Sequence, residues 1–241
     1  NPGATKVIVN IPGEEAYDVR IGTGVLDALG ARMRGVPSLE QAERVLVVTD
    51  ENVAPLYRDR ARESLAAAGF RVPDIVVPAG EDTKSVEVAG EIWEAMAHLS
   101  LGRDCAVVAL GGGVVGDLAG FAASTYMRGV TLVQVPTTLL SMVDSSVGGK
   151  TGVNLTAGKN LVGTFKQPAY VCADTGTLST LPERAWACGC AEAAKSAVID
   201  SDEVFFWLVE AADALAAREE AGGSEAIARC VVFKADVVAE G

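Results

Sequence analysis

Cys105-Ala106-Val107-Val108-Ala109-Leu110-Gly111-Gly112-Gly113-Val114-Val115-Gly116-Asp117 runs from an apolar strand through three glycines into a helix. A strand covered on both faces reads as a short continuous apolar run, and a glycine turn lets a helix start directly at its carboxyl end. The same alternation recurs on either side. Residues 7–9, 17–21, 45–49, 75–77, 132–135 and 170–173 are short and β-branched, whereas residues 53–68, 85–99 and 114–124 place apolar side chains at three- and four-residue spacing. This order predicts an α/β fold with a mostly parallel sheet and covering helices. Only the turn Ile11-Pro12-Gly13-Glu14-Glu15 separates the first two strands, so they are expected to form an antiparallel appendage.

Beyond Thr180 the strands cease. Residues 185–199, 204–217 and 225–238 read as helices, broken at Asp200-Ser201-Asp202 and at Gly222-Gly223-Ser224. The expected organisation is an α/β domain over residues 1–180 followed by the beginning of an all-helical domain over residues 181–241.

Composition narrows the function. The 241 residues are 49% hydrophobic and carry a net charge of −12, a folded chain without the basic face that nucleic-acid binding requires. Asn1-Pro2-Gly3-Ala4 lacks the pattern of a signal peptide, and the longest apolar run stops at Asp117, well short of a bilayer span. Five cysteines at irregular spacing, with no CxxC pair, fit a reducing compartment. A cytoplasmic protein without membrane contact is expected. The single histidine, His98, falls within a helix as a core or surface residue and leaves no His-rich zinc site.

The glycine run satisfies G-x-G-x-x-G, in which backbone amides and a helix N-terminus can receive a pyrophosphate. It departs from the dinucleotide fingerprint by lying on a late strand and by lacking an acid about twenty residues on. Asp50, at the end of another strand, is the candidate for the ribose; a glycine turn packing helix on strand is the plainer alternative. Gly80-Glu81-Asp82-Thr83-Lys84-Ser85 sets a carboxylate and an amine three apart before a helix, which a helix cap alone would also explain.

Between residues 121 and 170, Arg128, Lys150, Lys159 and Lys166 face a single acid, Asp144. A cationic island in an acidic chain points to a small anion, and Gly148-Gly149-Lys150 and Gly158-Lys159-Asn160 read as loops able to wrap phosphate oxygens. It is not a Walker loop, because Asp144 stands where the leading glycine would fall. Asp144 either orients a substrate hydroxyl or the lysines themselves, or caps a helix. Glu192 and Lys195 share a helix face; a surface ion pair is the plain reading, although Ala187, Gly189, Ala191, Ala193 and Ala194 around them suggest that a backbone or ligand comes close.

Together, residues 111–117, Tyr126-Met127-Arg128-Gly129-Val130, Pro136-Thr137-Thr138-Leu139-Leu140, residues 142–154, Gly158-Lys159-Asn160 and residues 189–195 strongly resemble the 3-dehydroquinate synthases, within the sugar-phosphate cyclase superfamily. The block Val143-Asp144-Ser145-Ser146-Val147-Gly148-Gly149-Lys150-Thr151-Gly152 is the most specific part. The resemblance implies a Rossmann-like domain holding NAD through Asp50, Asn52, Glu81, Lys84, Gly112, Gly113, Val114, Val115, Gly116, Asp117, Thr137, Thr138, Lys150, Lys159, Thr177, Leu178, Ser179 and Thr180. It implies a small phosphorylated sugar acid, the heptulosonate phosphate, held by Arg128, Asp144, Lys150, Asn160 and Lys195, with Arg128 supplied by the neighbouring subunit of a homodimer. Glu192 corresponds to one ligand of a divalent metal, zinc or cobalt.

The implied reaction is a redox-neutral sequence of transient oxidation by NAD, phosphate elimination, re-reduction and aldol closure in the shikimate pathway of aromatic amino-acid biosynthesis. The two other metal ligands are expected as histidines downstream of Gly241, so the sequence is expected to bind nucleotide with little turnover by itself. Valiolone- or deoxyinosose-type cyclases and metal-dependent alcohol or glycerol dehydrogenases remain as alternative activities.

Overall fold

The computed structural model describes residues 4–240, the side chains of 220 and 221 excepted. The leader reading at Asn1, Pro2 and Gly3, and the chain's end at Gly241, lie outside the described residues. Seven strands form one sheet in the order β1-β2-β9-β6-β5-β3-β4: β1 (Thr5–Val9), β2 (Tyr17–Gly22), β3 (Val45–Asp50), β4 (Asp74–Val77), β5 (Ala106–Gly111), β6 (Thr131–Pro136) and β9 (Tyr170–Asp174). A separate antiparallel hairpin joins β7 (Lys150–Leu155) to β8 (Gly158–Phe165). The strand β5, central in the sheet, is buried at every position, which is why it reads as unbroken apolar sequence.

The first two strands are antiparallel to each other, as expected, but they are no appendage: β2 pairs in parallel with β9 and makes β1 an edge of the main sheet. The sequence reading also placed Lys150, Lys159 and Asn160 in loops, whereas they lie on the hairpin strands. The reason is visible at Gly148 and Gly149, whose φ values of 97° and 69° only glycine adopts readily. This turn sends the chain back into β7 instead of leaving it coiled.

The helices are α1 (Leu29–Arg34), α2 (Asp59–Ala67), α3 (Val86–His98), α4 (Gly113–Thr125), α5 (Glu183–Asp200), α6 (Asp202–Glu210), α7 (Ala212–Ala216) and α8 (Glu220–Glu240). α1 and α2 cover one face of the sheet through Leu29, Met33, Ala61 and Leu65 against Val45, Val47, Val108 and Val133. α3 and α4 cover the other through Ile92, Met96, Leu118 and Ala122 against Leu46, Val48, Val107 and Leu132. The predicted helix over 53–68 divides into a π-helical turn, Ala54–Arg58, and α2. Gly222-Gly223-Ser224, expected as a break, lies inside α8; a side chain at 222 would meet Ala214 Cβ at 3.3 Å, so the glycine serves close packing against α7. In the tail, Trp186, Ala193, Ile227 and Val231 share one apolar cluster with Val9, Val19 and Ile21. No helix among the described residues is long and apolar enough to cross a membrane.

The strand order also places the crevice. From β3 the chain passes outward to β4, then returns on the other side of β3 to form β5. The carboxyl ends of β3 and β5 therefore flank the switch point, where open α/β sheets bind ligands.

Candidate functional site

At that edge, Asp50 ends β3 and the three glycines end β5. Asp50 Oδ1 accepts from the amides of Asn52 at 2.8 Å and Val53 at 3.0 Å, which tightens the turn and leaves Asn52 exposed beside it. α4 begins at Gly112 with no side-chain cap, so its first-turn amides are free for an anion. Val115 is buried in the core and offers only backbone, while Gly113, Val114 and Gly116 are half-exposed at the helix start. Thr137, at the end of β6, is 4% exposed and its hydroxyl has no partner. A buried hydroxyl without a partner next to an uncapped helix N-terminus fits a nucleotide. Thr138 is occupied locally, its hydroxyl bonded to Ser141 Oγ at 2.9 Å.

A second set of side chains lines a cleft of about 560 Å³ between α4, the hairpin and α8. Asp117, Asp144, Lys150, Thr151, Asn160 and Lys234 supply its polar groups. Lys84, 5% exposed, lies behind this wall and donates to both Asp117 and, at 2.5 Å, Asn160 Oδ1. Burial raises the Asp117 carboxyl above the usual carboxylate range, and the Lys84 bond only partly offsets it. Asn160 takes a left-handed φ of 57° and its backbone N–H donates to Asn154 Oδ1 at 2.9 Å, so Asn154 holds its backbone while Lys84 holds its side-chain oxygen. Asn154 Nδ2 in turn donates to Glu81 Oε1 at 2.8 Å, and Lys159 approaches the same oxygen at 3.4 Å. Burial pushes the Glu81 carboxyl upward, but the Asn154 bond and Lys159 outweigh it and hold the value below the usual range.

The cationic island thus divides. Lys150 alone of its members lines the cleft and is exposed to it; Lys159 pairs with Glu81 outside, and Arg128 is exposed beyond the carboxyl end of α4, a turn that also brings Lys166 near Gly129. Lys234, unmarked by the sequence reading, takes their place: its ammonium lies 2.5 Å from Asp144 Oδ1, ninety positions away. Asp144 sits in a π-helical turn, Ser141–Ser145, and is not a plain helix cap. Glu192 and Lys195 form the ion pair expected of an i, i+3 spacing; the Glu192 hydrogen bond, then its charge and that of Asp144, raise the Lys195 pKa. The small residues around them serve packing: a Cβ at Gly189 would meet Leu139 Cβ at 2.5 Å and Leu140 N at 2.8 Å. Thr177, Leu178, Ser179 and Thr180 follow β9 in a 3₁₀ segment, Thr175–Thr180, at the carboxyl edge. His98 is exposed at the end of α3, with Nδ1 2.8 Å from Glu94 O, and does not line the cleft.

A family model described as 3-dehydroquinate synthase N-terminal matches residues 74–188. A 3-dehydroquinate synthase of Symbiobacterium thermophilum is 48% identical over 227 residues, which cover 94% of this chain and 63% of that protein. Over nearly its whole length the chain is similar to 3-dehydroquinate synthases. It spans about three fifths of the length of the curated relatives it matches. Among solved structures, a 2-deoxy-scyllo-inosose synthase complexed with carbaglucose-6-phosphate, NAD+ and Co2+ aligns with a TM-score of 0.85 at 28% identity, covering 98% of this chain and 64% of that one. A 2-epi-5-epi-valiolone synthase from Streptomyces hygroscopicus with NAD+ and Zn2+ bound aligns with a TM-score of 0.81 at 33% identity, covering 93% and 62%. The α/β fold and the cyclase resemblance read from the sequence are both borne out.

Among the described residues no group of three His, Cys, Asp or Glu side chains converges as a metal site, and the Glu192 carboxylate is engaged by Lys195. The residues present do not make a complete metal centre.

Proposed function

We propose that this chain forms the nucleotide-binding core and one wall of the substrate cleft of a 3-dehydroquinate synthase, a carbon–oxygen lyase that converts 3-deoxy-arabino-heptulosonate 7-phosphate to 3-dehydroquinate and phosphate. The observation that carries this reading is the adjacency of two anion-binding features: the uncapped start of α4, and the cleft where Lys150 and Lys234 stand with Asp117, Asp144 and Asn160. Identity of 48% to curated 3-dehydroquinate synthases, against 28% and 33% to the solved inosose and valiolone synthases, supports this substrate over those of the other cyclases.

The residues at the carboxyl edge of the sheet fit NAD, which when bound would accept a hydride from the substrate carbon that bears a hydroxyl, and later return it. Asp50 would receive the ribose, the α4 amides the pyrophosphate, and Thr137 a hydrogen bond from or to the cofactor. In the cleft, the Lys150 ammonium neutralises the substrate phosphate and stays with it as it departs, so negative charge on the leaving group costs less. Asn160, locked by Lys84 and Asn154, offers its amide group to the same oxygens at low ordering cost. Asp144, held by Lys234, orients a ring hydroxyl. The departing phosphate serves as the base for the adjacent C–H. Glu192 would supply one ligand of a divalent metal, the other ligands coming from outside residues 4–240.

Residues 181–240 are proposed as the start of a second, helical domain. Exposure of Arg128 outside the cleft supports its delivery to a neighbouring subunit's phosphate in a homodimer. The five cysteines, all free, support a cytoplasmic location. Supplying the heptulosonate phosphate to the full-length enzyme and following phosphate release tests the assignment. Release without net NADH formation is expected. Net NADH would favour a dehydrogenase, and turnover only of a sugar phosphate lacking the carboxylate would favour another cyclase.

A further inference from the structure

The turn after β3 and the turn after β9 are tied together across the top of the sheet, although β5 and β6 lie between the two strands. Three strand spacings put them about 14 Å apart. The tie is Tyr57, from the π-helical turn Ala54–Arg58 that follows Asp50 and Asn52. Its hydroxyl donates to the carbonyl of Thr177 at 3.1 Å and lies 2.6 Å from Thr180 Oγ1, while its ring belongs to the apolar cluster that contains Val47, Leu110 and Val135.

What lies beneath this bridge gives it a use. Val45 and Val47 of β3, and Val133 and Val135 of β6, point to the α1–α2 face with Tyr57. Strand alternation continues that face to Thr49, whose hydroxyl is fully buried and has no partner. Thr137, beyond the end of β6, holds the second buried hydroxyl without a partner at this edge. The far anchor is firm: Asp174, fully buried, accepts from the amides of Gly24 and Gly176 at 2.9 Å and Leu26 at 3.2 Å. Thr177 Oγ1 donates back to the Asp174 carbonyl at 2.8 Å. The start of the Thr175–Thr180 segment is therefore fixed by Asp174; towards its end, Tyr57 adds a tie to the turn after β3 beside the local bonds of Ser179 to the Gly176 carbonyl and of Thr180 to the Thr177 carbonyl.

We propose that Tyr57 is a positioning residue for the dinucleotide: its hydroxyl holds the Thr177–Thr180 backbone over the β3–β5 crevice and so sets the width of the cofactor site from the α2 side. This rests on the nucleotide reading above and adds a residue that neither the glycine motif nor the lysine cleft contains. Tyr57 makes no contact with the cleft lined by Lys150 and Lys234, so its effect is selective for the cofactor.

The test is Tyr57→Phe, which keeps the buried ring and removes only the hydroxyl. NADH binding is followed by fluorescence, inorganic phosphate binding by calorimetry, and folding by the thermal midpoint. Loss of one positioning hydrogen bond is expected to weaken NADH binding about tenfold. Phosphate affinity should stay unchanged and the midpoint nearly so. Thr180→Ala, which takes away one partner of the Tyr57 hydroxyl and leaves its bond to the Thr177 carbonyl, is expected to weaken NADH binding less, and Thr180→Ser to retain it.

Unchanged NADH affinity in Tyr57→Phe overturns the proposal. So does a parallel fall in NADH affinity, phosphate affinity and midpoint, which marks a purely structural tyrosine. If Tyr57→Phe does not fold, the Thr180→Ala and Thr180→Ser pair decides alone. A parent chain that binds phosphate but no NADH removes the nucleotide reading itself, a result distinct from a binding parent with an equally binding variant.

Discussion

Lys84 Nζ lies 2.5 Å from Asn160 Oδ1, joining the segment before α3 to the second strand of the hairpin across seventy-six positions of sequence. The same ammonium bonds Asp117 on α4, so one buried cation holds three elements together around the cleft. Removing one partner of such a pair leaves the other charge poorly compensated. Lys84→Met is expected to lose about 2 kcal/mol of stability in urea unfolding at neutral pH, somewhat less than the roughly 3–5 kcal/mol of a fully buried pair because Asp117 keeps some water contact. Lys84→Met with Asp117→Asn should recover more than half of that loss. A double variant as unstable as the sum of the singles would show that the two side chains act independently.

Asp117 gives a pH prediction with a definite sign. Its folded pKa is raised above the ordinary 3.8, chiefly by burial, so ionisation is harder in the folded chain than in the unfolded one. Its contribution to stability is therefore fully present below the ordinary value and declines as pH rises through the raised one. Asn cannot ionise. The thermal midpoint of Asp117→Asn minus that of the parent should become more positive between about pH 3 and pH 7. A flat or falling difference over that interval would contradict the direction of the shift.

The sheet was legible because its central strands are covered on both faces: β3 and β5 are apolar through almost every position, and the glycines that end β5 mark the turn into α4. The hairpin was not. β8 is exposed along most of its length, with Leu161 61% and Phe165 79% exposed, and Gly152, Gly158 and Gly163 remove the alternation that identifies a half-buried strand. Its Gly-Lys pairs therefore resembled phosphate loops. Within the candidate site, Asp50 stood out at the end of a strand, Asp117 beside the glycines and Lys150 by local charge contrast, all features legible over a few residues. Lys234 escaped because its partner Asp144 is ninety positions away, and nothing local to its helix sets this lysine apart. Tyr57 escaped because a tyrosine within an apolar helix face reads as core, and only the fold shows where its hydroxyl ends.

Gly189 tests how α5 meets the sheet. A Cβ there would press on Leu139 Cβ at 2.5 Å and on the Leu140 amide at 2.8 Å, and backbone yields poorly. The Leu139–Leu140 pair immediately precedes the turn that carries Asp144. Gly189→Ala is expected to cost roughly 1–3 kcal/mol, the range for overpacking a well-filled interface, read in urea unfolding. It should also reduce phosphate affinity, because displaced backbone at Leu140 moves the Asp144 turn. A stable variant with unchanged phosphate affinity would mean that α5 shifts freely along this contact.

Lys150 and Lys234 stand in the same cleft but are held differently, and phosphate binding should separate them. Lys234 is bound to Asp144, whereas Lys150 is exposed and makes no ion pair among the described residues. A cation free of intramolecular partners gives up little on meeting an anion, while one already engaged must share or break its bond. Lys150→Ala should therefore weaken inorganic phosphate binding about tenfold with little change in thermal midpoint, since no folded-state contact is lost. Lys234→Ala should weaken phosphate less but lower the midpoint, because Asp144 is left without its partner. Calorimetric titration of both variants with phosphate, beside thermal unfolding, reads the two effects. The opposite ranking would assign the phosphate to Lys234 and leave Lys150 as a bystander at the rim.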